Sequence, residues 1–281
     1  MTIFDVLIIG GGPAGLSVAT GLARQLYRAI VFDSGVYRNA LASHMHNVAS
    51  WDHKSPEEFR QAARERILSR YETIEFENVE IKKVERNTEG YFNAVDSRDR
   101  ARGIFHCLFC HGFEERGCEA VGVLAIGDMA NAMAAMHVAR MARRFSTTVT
   151  IYTHGAQEVT QALEKASHDT GIRIDGRLIT RLVKGPGPSD VDVEFEDGTR
   201  RKEGFLAHKP KTQINGPFAE QLGLHLTSDG NIETTEPFYS TSVLGVFAAG
   251  DCAVPMKAVV TAMSSGTLVA GGLAGQLQAE L

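Results

Sequence analysis

The run Val6-Leu7-Ile8-Ile9-Gly10-Gly11-Gly12-Pro13-Ala14-Gly15 decides the fold. Four apolar, strand-type residues enter a glycine turn, and an apolar-periodic stretch to about Leu26 follows. A second apolar run, Ala29 to Phe32, ends on Asp33. Strand, turn, helix, strand and acid make a βαβ unit with the spacing Gly10-x-Gly12-x-x-Gly15. The glycines let backbone N–H groups approach a pyrophosphate, and the helix N-terminus adds partial positive charge. The acid accepts from ribose hydroxyls. A lone glycine motif is weak, but this one has the neighbours that bind the ADP half of a dinucleotide.

Ser55-Pro56-Glu57-Glu58 opens a helix predicted to run to about Arg70, with serine as N-cap, proline in the first turn and Glu58 completing a capping box. From Ile74 to Val95 the pattern is strand-like, broken by turn residues at Asn87 to Gly90. The middle of the chain repeats the opening theme. Val121 to Ile126 reads as a strand, Gly127-Asp128 as a turn, Ala130 to Arg144 as a helix and Val149 to Tyr152 as the next strand. Asp190 to Glu196 and Thr199 to Leu206 read as a hairpin about Asp197-Gly198. Val246 to Ala249 reads as a buried strand entering Gly250-Asp251, before a small-residue helix from about Lys257. The predicted class is α/β with two Rossmann-like dinucleotide-binding domains. The first is discontinuous, residues 1–102 and 207–281; the second spans 103–206.

Composition narrows the function. The 281 residues include 29 basic and 34 acidic ones, a formal net charge of −5, so nothing favours a nucleic-acid phosphate backbone. With 43% hydrophobic and 22% charged residues the chain suits packed cores and not disorder. No apolar run approaches the ~20 residues of a membrane helix, and no secretory pattern follows Met1. A cytoplasmic protein without a membrane partner is the expectation. Four cysteines are too few for a disulfide scaffold.

Two of those cysteines lie in His106-Cys107-Leu108-Phe109-Cys110-His111. Three chemistries compete there. Zinc requires four ligands, and these two histidines and two cysteines are too crowded, with no second Cys-x-x-Cys in the chain; no metal site is expected. Two inert structural thiols are a second reading. The third is a redox dithiol, whose thiolate exchanges with another disulfide while a flanking histidine moves protons near neutral pH.

The segment Thr241 to Asp251 resembles the second FAD signature of flavoproteins with two dinucleotide domains. That resemblance gives Asp251 the ribityl chain and turns backbone N–H groups near Ala258 and Val259 toward the isoalloxazine. The order of fingerprint, Cys-x-x-Cys and Gly250-Asp251 is similar to that of low-molecular-weight thioredoxin reductases. Val31 to Asn39, Trp51 to Arg60, His106 to Arg116 and His208 to Thr212 resemble one branch of them, the fungal dithiol oxidases that close the disulfide of gliotoxin-type epipolythiodioxopiperazines. The resemblance implies FAD held by Gly10, Gly12, Pro13, Ala14, Gly15, Asp33, Ser34, Arg38, Asn39, Asn47, Gly250 and Asp251. It also implies a homodimer acting on a small-molecule dithiol and O₂. A substrate thiolate would attack Cys107 and the second substrate thiol would displace the enzyme. Cys110, the flavin-proximal thiol, would then pass the electrons on, giving H₂O₂. His106 or His111 would be the base, and the sequence does not choose between them. His44 and His46 read either as cleft residues or as solvated loop histidines.

Two departures matter. At Ala125-Ile126-Gly127-Asp128-Met129-Ala130 the first glycine of the second fingerprint is alanine, and no arginine pair follows Tyr152 for a 2′-phosphate. That weakens an NAD(P)H-dependent disulfide reductase, the alternative activity. In addition, the resembling proteins place a strand ending in Ala-Thr-Gly and a proline-rich crossover before the Cys-x-x-Cys domain. Between Val95 and Gly103 roughly 30 such residues, one strand and one linker, are missing. The lost strand would help close the cofactor site, so a non-catalytic relic is the third reading.

Overall fold

The structure, a computed structural model, describes residues 3–40, 42–86, 92–93, 104–105, 107–113, 115–210 and 212–279. The expected deletion point, between Val95 and Gly103, lies outside them. In chain order the elements are β1 (Val6–Ile9), α1 (Pro13–Ala23), β2 (Ala29–Phe32), α2 (Pro56–Leu68), β3 (Ile74–Glu77), β4 (Glu85–Arg86) and β5 (Phe92–Asn93). There follow β6 (Ile104–Phe105), α3 (Leu108–His111), β7 (Ala120–Leu124), α4 (Ala132–Ala142), β8 (Thr148–Tyr152), α5 (Gln157–Ala166) and β9 (Ile172–Asp175). The chain continues through β10 (Ile179–Lys184), β11 (Val191–Phe195), β12 (Arg200–Glu203), β13 (Phe205–Ala207), α6 (Phe218–Gln221) and α7 (Val259–Ala279).

The chain divides into two units, Met1–Asp99 with Thr212–Leu281, and Arg100–Lys211. The sequence reading returns the chain to the first unit after Leu206; in the structure β13 and the residues to 211 stay with the second. In the first unit β1, β2 and β3 form a parallel sheet in that order. Helix α1 packs one face of it with Leu16, Val18, Ala19 and Leu22, and α7 joins the same core through Val269, Ala270 and Leu273. The two helices approach closely because small residues meet: a Cβ on Gly21 would lie 2.5 Å from the Ala270 Cβ, and one on Gly266 would lie 2.3 Å from the Ala14 carbonyl oxygen. Ser55 caps α2 as expected, accepting from the N–H groups of Glu57 and Glu58.

Two local readings need correction. Val246–Ala249 does not form a strand; Phe247 makes a single antiparallel bridge to Ser240. A lone extended segment without a neighbouring strand has no ladder to join, and among the described residues β1 pairs with β2 alone. The second arm of the predicted hairpin is two strands. β12 pairs with β11 in the antiparallel sheet β10-β11-β12, whereas β13 enters the parallel sheet β6-β13-β7-β8-β9. Gly204 lies at the switch, where a Cβ would come within 2.7 Å of the Cys118 Cβ.

Among its described residues the second unit buries a titratable pair, Tyr152 and Glu203. Tyr152 on β8 donates its hydroxyl to Glu203 Oε1, and Oε2 has no partner among the described residues. Burial pushes the Glu203 carboxyl up to about 7, because the charged form loses its water. Between pH 4.5 and 7 the folded chain therefore binds more protons here than the unfolded one, and stability falls as pH rises through that window. The loss is on the order of 3 kcal/mol. Glu203→Gln, a mimic of the protonated acid, is expected to flatten this slope in thermal melts from pH 4.5 to 8. An unchanged slope in the variant would assign the pH dependence elsewhere.

Candidate functional site

The first candidate site grows from the turn between β1 and α1. Gly12 is the N-cap of α1, with no side-chain cap, and Pro13 occupies the first helical position, where its missing N–H costs nothing. The three fingerprint glycines have different reasons to be glycine. Gly10 has φ +110°, a conformation that side chains avoid, and open space around its missing Cβ. Gly12 also faces open space. Gly15 does not: a Cβ there would sit 1.9 Å from the Gly10 carbonyl oxygen. One glycine thus fixes the turn while two leave its mouth open beside uncapped helix N–H groups, the arrangement that accepts a pyrophosphate.

Asp33 closes β2 beside this turn, its carboxylate 2.3 Å from where a Gly11 Cβ would be. The side chain is buried, accepting from the Gly35 N–H at 2.9 Å and the Tyr37 hydroxyl at 2.6 Å. A carboxylate has about four lone-pair directions, so capacity remains for ribose hydroxyls. Burial and the Asp33 carboxylate push the Tyr37 hydroxyl up to about 12. The Arg60 guanidinium stacks 3.6 Å from the Tyr37 ring centre and donates to Asn39 Oδ1 at 3.1 Å. Nothing in the spacing of Tyr37 and Arg60 signals this contact, which arises because α2 lays Arg60 over the loop after β2. Ser34 Oγ accepts from the Val36 N–H, a local turn contact.

The Gly250-Asp251 segment meets the same turn. Gly250, at φ +72°, lies so close to α1 that a Cβ would stand 2.9 Å from the Ala14 Cβ. Arg38 Nη1 pairs with Asp251 Oδ2 at 2.7 Å, joining two residues distant in the chain. Lys257 braces the following loop, donating to Asn231 Oδ1 and the Asp251 carbonyl at 2.5 Å and to the Val254 carbonyl at 2.7 Å. Before α7 begins at Val259 the chain turns, and the Ala258 N–H is donated to the Met256 carbonyl at 3.1 Å. Asn47 belongs to a separate loop and donates its N–H to Asp52 Oδ1 at 2.9 Å.

The second candidate site is the Cys-x-x-Cys segment. Cys107 is disulfide-bonded and half-buried at the N-cap of α3. Leu108 anchors this turn in the core, while Phe109 is 73% exposed. Gly112 allows the turn to press on Phe145, whose ring would be 2.5 Å from a Cβ. His106 and the side chains of Cys110 and His111 lie outside the described residues. Cys118 and Cys252 are free, and burial pushes both thiols up, away from the reactive thiolate.

The turn after β7 differs from that after β1. Asn131 caps α4 with its own side chain, accepting from the Ala134 N–H at 2.8 Å, so one N–H that a phosphate would use is already paired. The arginine that the fold brings beside the end of β8, Arg177, is committed to Asp175 at 2.6 Å and Asp197 at 3.0 Å and stacks on Phe195.

Residues 132–266 match the family described as pyridine nucleotide-disulphide oxidoreductase. Thioredoxin reductase aclD of Aspergillus oryzae is 41% identical, over 98% of this chain and 96% of its own. The chain belongs to the thioredoxin reductase-like pyridine nucleotide–disulphide oxidoreductases. Thioredoxin reductase sirT of Leptosphaeria maculans is 39% identical, over 97% of this chain and 94% of its own. Among solved structures, the oxidoreductase from Agrobacterium tumefaciens superposes with a TM-score of 0.82 at 27% identity, over 99% of each chain. The alignment with aclD runs to 305 residues against 281 here, so this thioredoxin reductase-like chain lacks residues that its relative carries. No helix among the described residues is long and apolar enough to cross a membrane.

Proposed function

We propose that the chain is an FAD-dependent oxidase of a small-molecule dithiol in fungal secondary metabolism, forming the substrate disulfide and reducing O₂ to H₂O₂. The observation that carries this reading is the contrast between the two dinucleotide turns. The turn at Gly10–Gly15 is open and uncapped, whereas the one at Ala125–Ala130 has alanine in place of its first glycine and is followed by a helix that Asn131 caps. A chain that keeps one cofactor turn and a Cys107 disulfide can take electrons from a dithiol without a nicotinamide.

Gly12 and the N-terminus of α1 would hold the pyrophosphate, Asp33 the adenosine ribose, and Asp251 the ribityl chain, with Arg38 fixing its carboxylate. FAD supplies a two-electron acceptor that O₂ reoxidises. At the disulfide, a substrate thiolate attacks Cys107 Sγ and breaks the enzyme S–S bond, forming a mixed disulfide. The second substrate thiolate then attacks the substrate sulfur, so the product S–S bond forms and Cys107 leaves as thiolate. Two electrons and two protons pass from substrate to enzyme, with His106 or His111 taking a proton. The protein would act as a homodimer in the cytoplasm, without nucleic-acid or membrane partners.

The test is direct. The purified chain is expected to be yellow, and a small dithiol in air without nicotinamide should yield disulfide and H₂O₂ in equal amounts. Turnover that starts only on adding NADH or NADPH would identify a disulfide reductase, and a colourless, inert protein would identify a relic. Either result overturns the oxidase.

A further inference from the structure

The first unit holds a group of metal-ligating side chains that the redox reading does not use. Residues 45–54 close on themselves: the Met45 N–H donates to the Lys54 carbonyl at 2.7 Å and the His53 N–H to the Met45 carbonyl at 2.9 Å. Met45 and Val48 are buried beneath the loop, and Trp51 stands edge-on to Phe59 with ring centres 5.4 Å apart. Three non-glycine residues of this short loop, Asn47, Ser50 and His53, have φ of 60°, 65° and 59°. Such conformations cost about 1–3 kcal/mol each where the residue resists them, least for Asn, and gather at ligand clamps and active sites.

The loop brings three donors together. One ligand atom each from His46, Asp52 and His53 lies within 4.8 Å of the others, and His46 Nδ1 is 3.6 Å from Asp52 Oδ1. The His46 ring is T-shaped to His53 with centres 4.7 Å apart, and His44 stands 6.1 Å from His53. We propose that His46, Asp52 and His53 form a binding site for one divalent transition ion of the zinc class. Two imidazoles and a carboxylate suit zinc with a fourth position left open, for water or for His44. Around a tetrahedral zinc such donors stand about 3.3 Å apart. Small rotations of the exposed Asp52 and His53 side chains close the set, while His46, with an 11% exposed side chain, stays fixed. Asp52 also has an orienting partner, since the Asn47 N–H binds its Oδ1 and leaves Oδ2 for the ion. The bound ion would clamp both ends of the loop, the histidine arm at 46 to the Asp52-His53 arm.

The experiment is calorimetric titration of Zn²⁺ into the full-length protein with its disulfide left oxidised. One ion per chain is expected to bind at pH 7.5. His53→Ala and Asp52→Asn, both at exposed positions, are expected to weaken binding by more than the roughly 10–100-fold that losing an outer-shell partner costs. Thermal melts establish that each variant is folded, and added Zn²⁺ should raise the melting temperature of the parent but not of the variants. His137→Ala, exposed on α4, and Cys118→Ser are expected to bind as the parent does. No binding by the parent, or binding that survives His53→Ala or is lost with Cys118→Ser, would overturn the proposal. None of these readouts depends on dithiol turnover, so this test and that of the oxidase fail separately.

Discussion

Gly15→Ala is expected to yield a destabilised protein that purifies without flavin. The added Cβ would stand 1.9 Å from the Gly10 carbonyl oxygen, a backbone atom that cannot swing away, and the Ile8 side chain closes in at 3.3 Å. Relief requires α1 to move off β1, which disturbs the core that Leu16, Ala19 and Leu22 build with α7. Overpacking of this kind costs about 3 kcal/mol or more, which lowers the melting temperature by roughly 6–12 °C for a domain of this size. Gly12→Ala separates fold from cofactor. Nothing stands within 4 Å of its Cβ and its φ of −76° is ordinary, so the melting temperature of the apoprotein should change little. The N-cap preference for glycine over alanine is worth about 1 kcal/mol at most. The methyl group would nevertheless occupy the mouth of the turn, and the flavin absorbance of the purified protein should be lost. A Gly12→Ala protein as yellow as the parent would place the pyrophosphate elsewhere.

Cys107→Ser is expected to abolish dithiol oxidation, by a factor on the order of 10⁴ or more, while leaving the fold and the visible spectrum intact. The side chain is half-buried and Leu108, not Cys107, anchors the turn, so the substitution leaves no cavity. Serine cannot form the mixed disulfide, the partner sulfur that the substitution frees has no second thiol with which to close the enzyme disulfide, and the other two thiols offer no detour. Cys118 and Cys252 are held as thiols by burial, and a thiol is a poor nucleophile beside a thiolate. Cys118→Ser is therefore expected to keep parental turnover. Oxygen-electrode and H₂O₂ assays on a common dithiol compare the three proteins. A Cys107→Ser enzyme that still closes the substrate disulfide at the parental rate would remove the enzyme disulfide from the reaction path.

The fingerprint was legible because its requirements are local. Gly10 and Gly15 are fixed by the turn itself, and Asp33 by the end of the next strand. The same holds for Ser55 at the N-cap of α2. Contacts made by distant residues left no trace in the spacing. The Arg60 stack on Tyr37 and the Arg38–Asp251 pair depend on how α2 and the Gly250 segment are laid against the first turn. Alternation misled between Thr199 and Leu206, since both arms of that stretch are extended and only the switch at Gly204 separates their sheets. At Val246–Ala249 apolar strand formers stand without a ladder. Glu203 follows three basic residues in a polar stretch, yet its carboxyl is buried and bonded to Tyr152.

The packing of α1 on α7 has a consequence for synthesis. The core of the first unit needs Val269, Ala270 and Leu273, which follow the whole second unit in the chain. A ribosome therefore extrudes β1, α1 and β2 early, with one apolar face uncovered, and then the whole second unit, 100–211, before the helix that covers that face exists. Units fold as they emerge, so the disulfide-bearing unit is complete while the glycine-turn unit still waits. Premature termination between the second unit and α7 would release a chain whose middle is folded and whose first sheet is uncovered, a substrate for chaperones and proteases rather than a weakened enzyme.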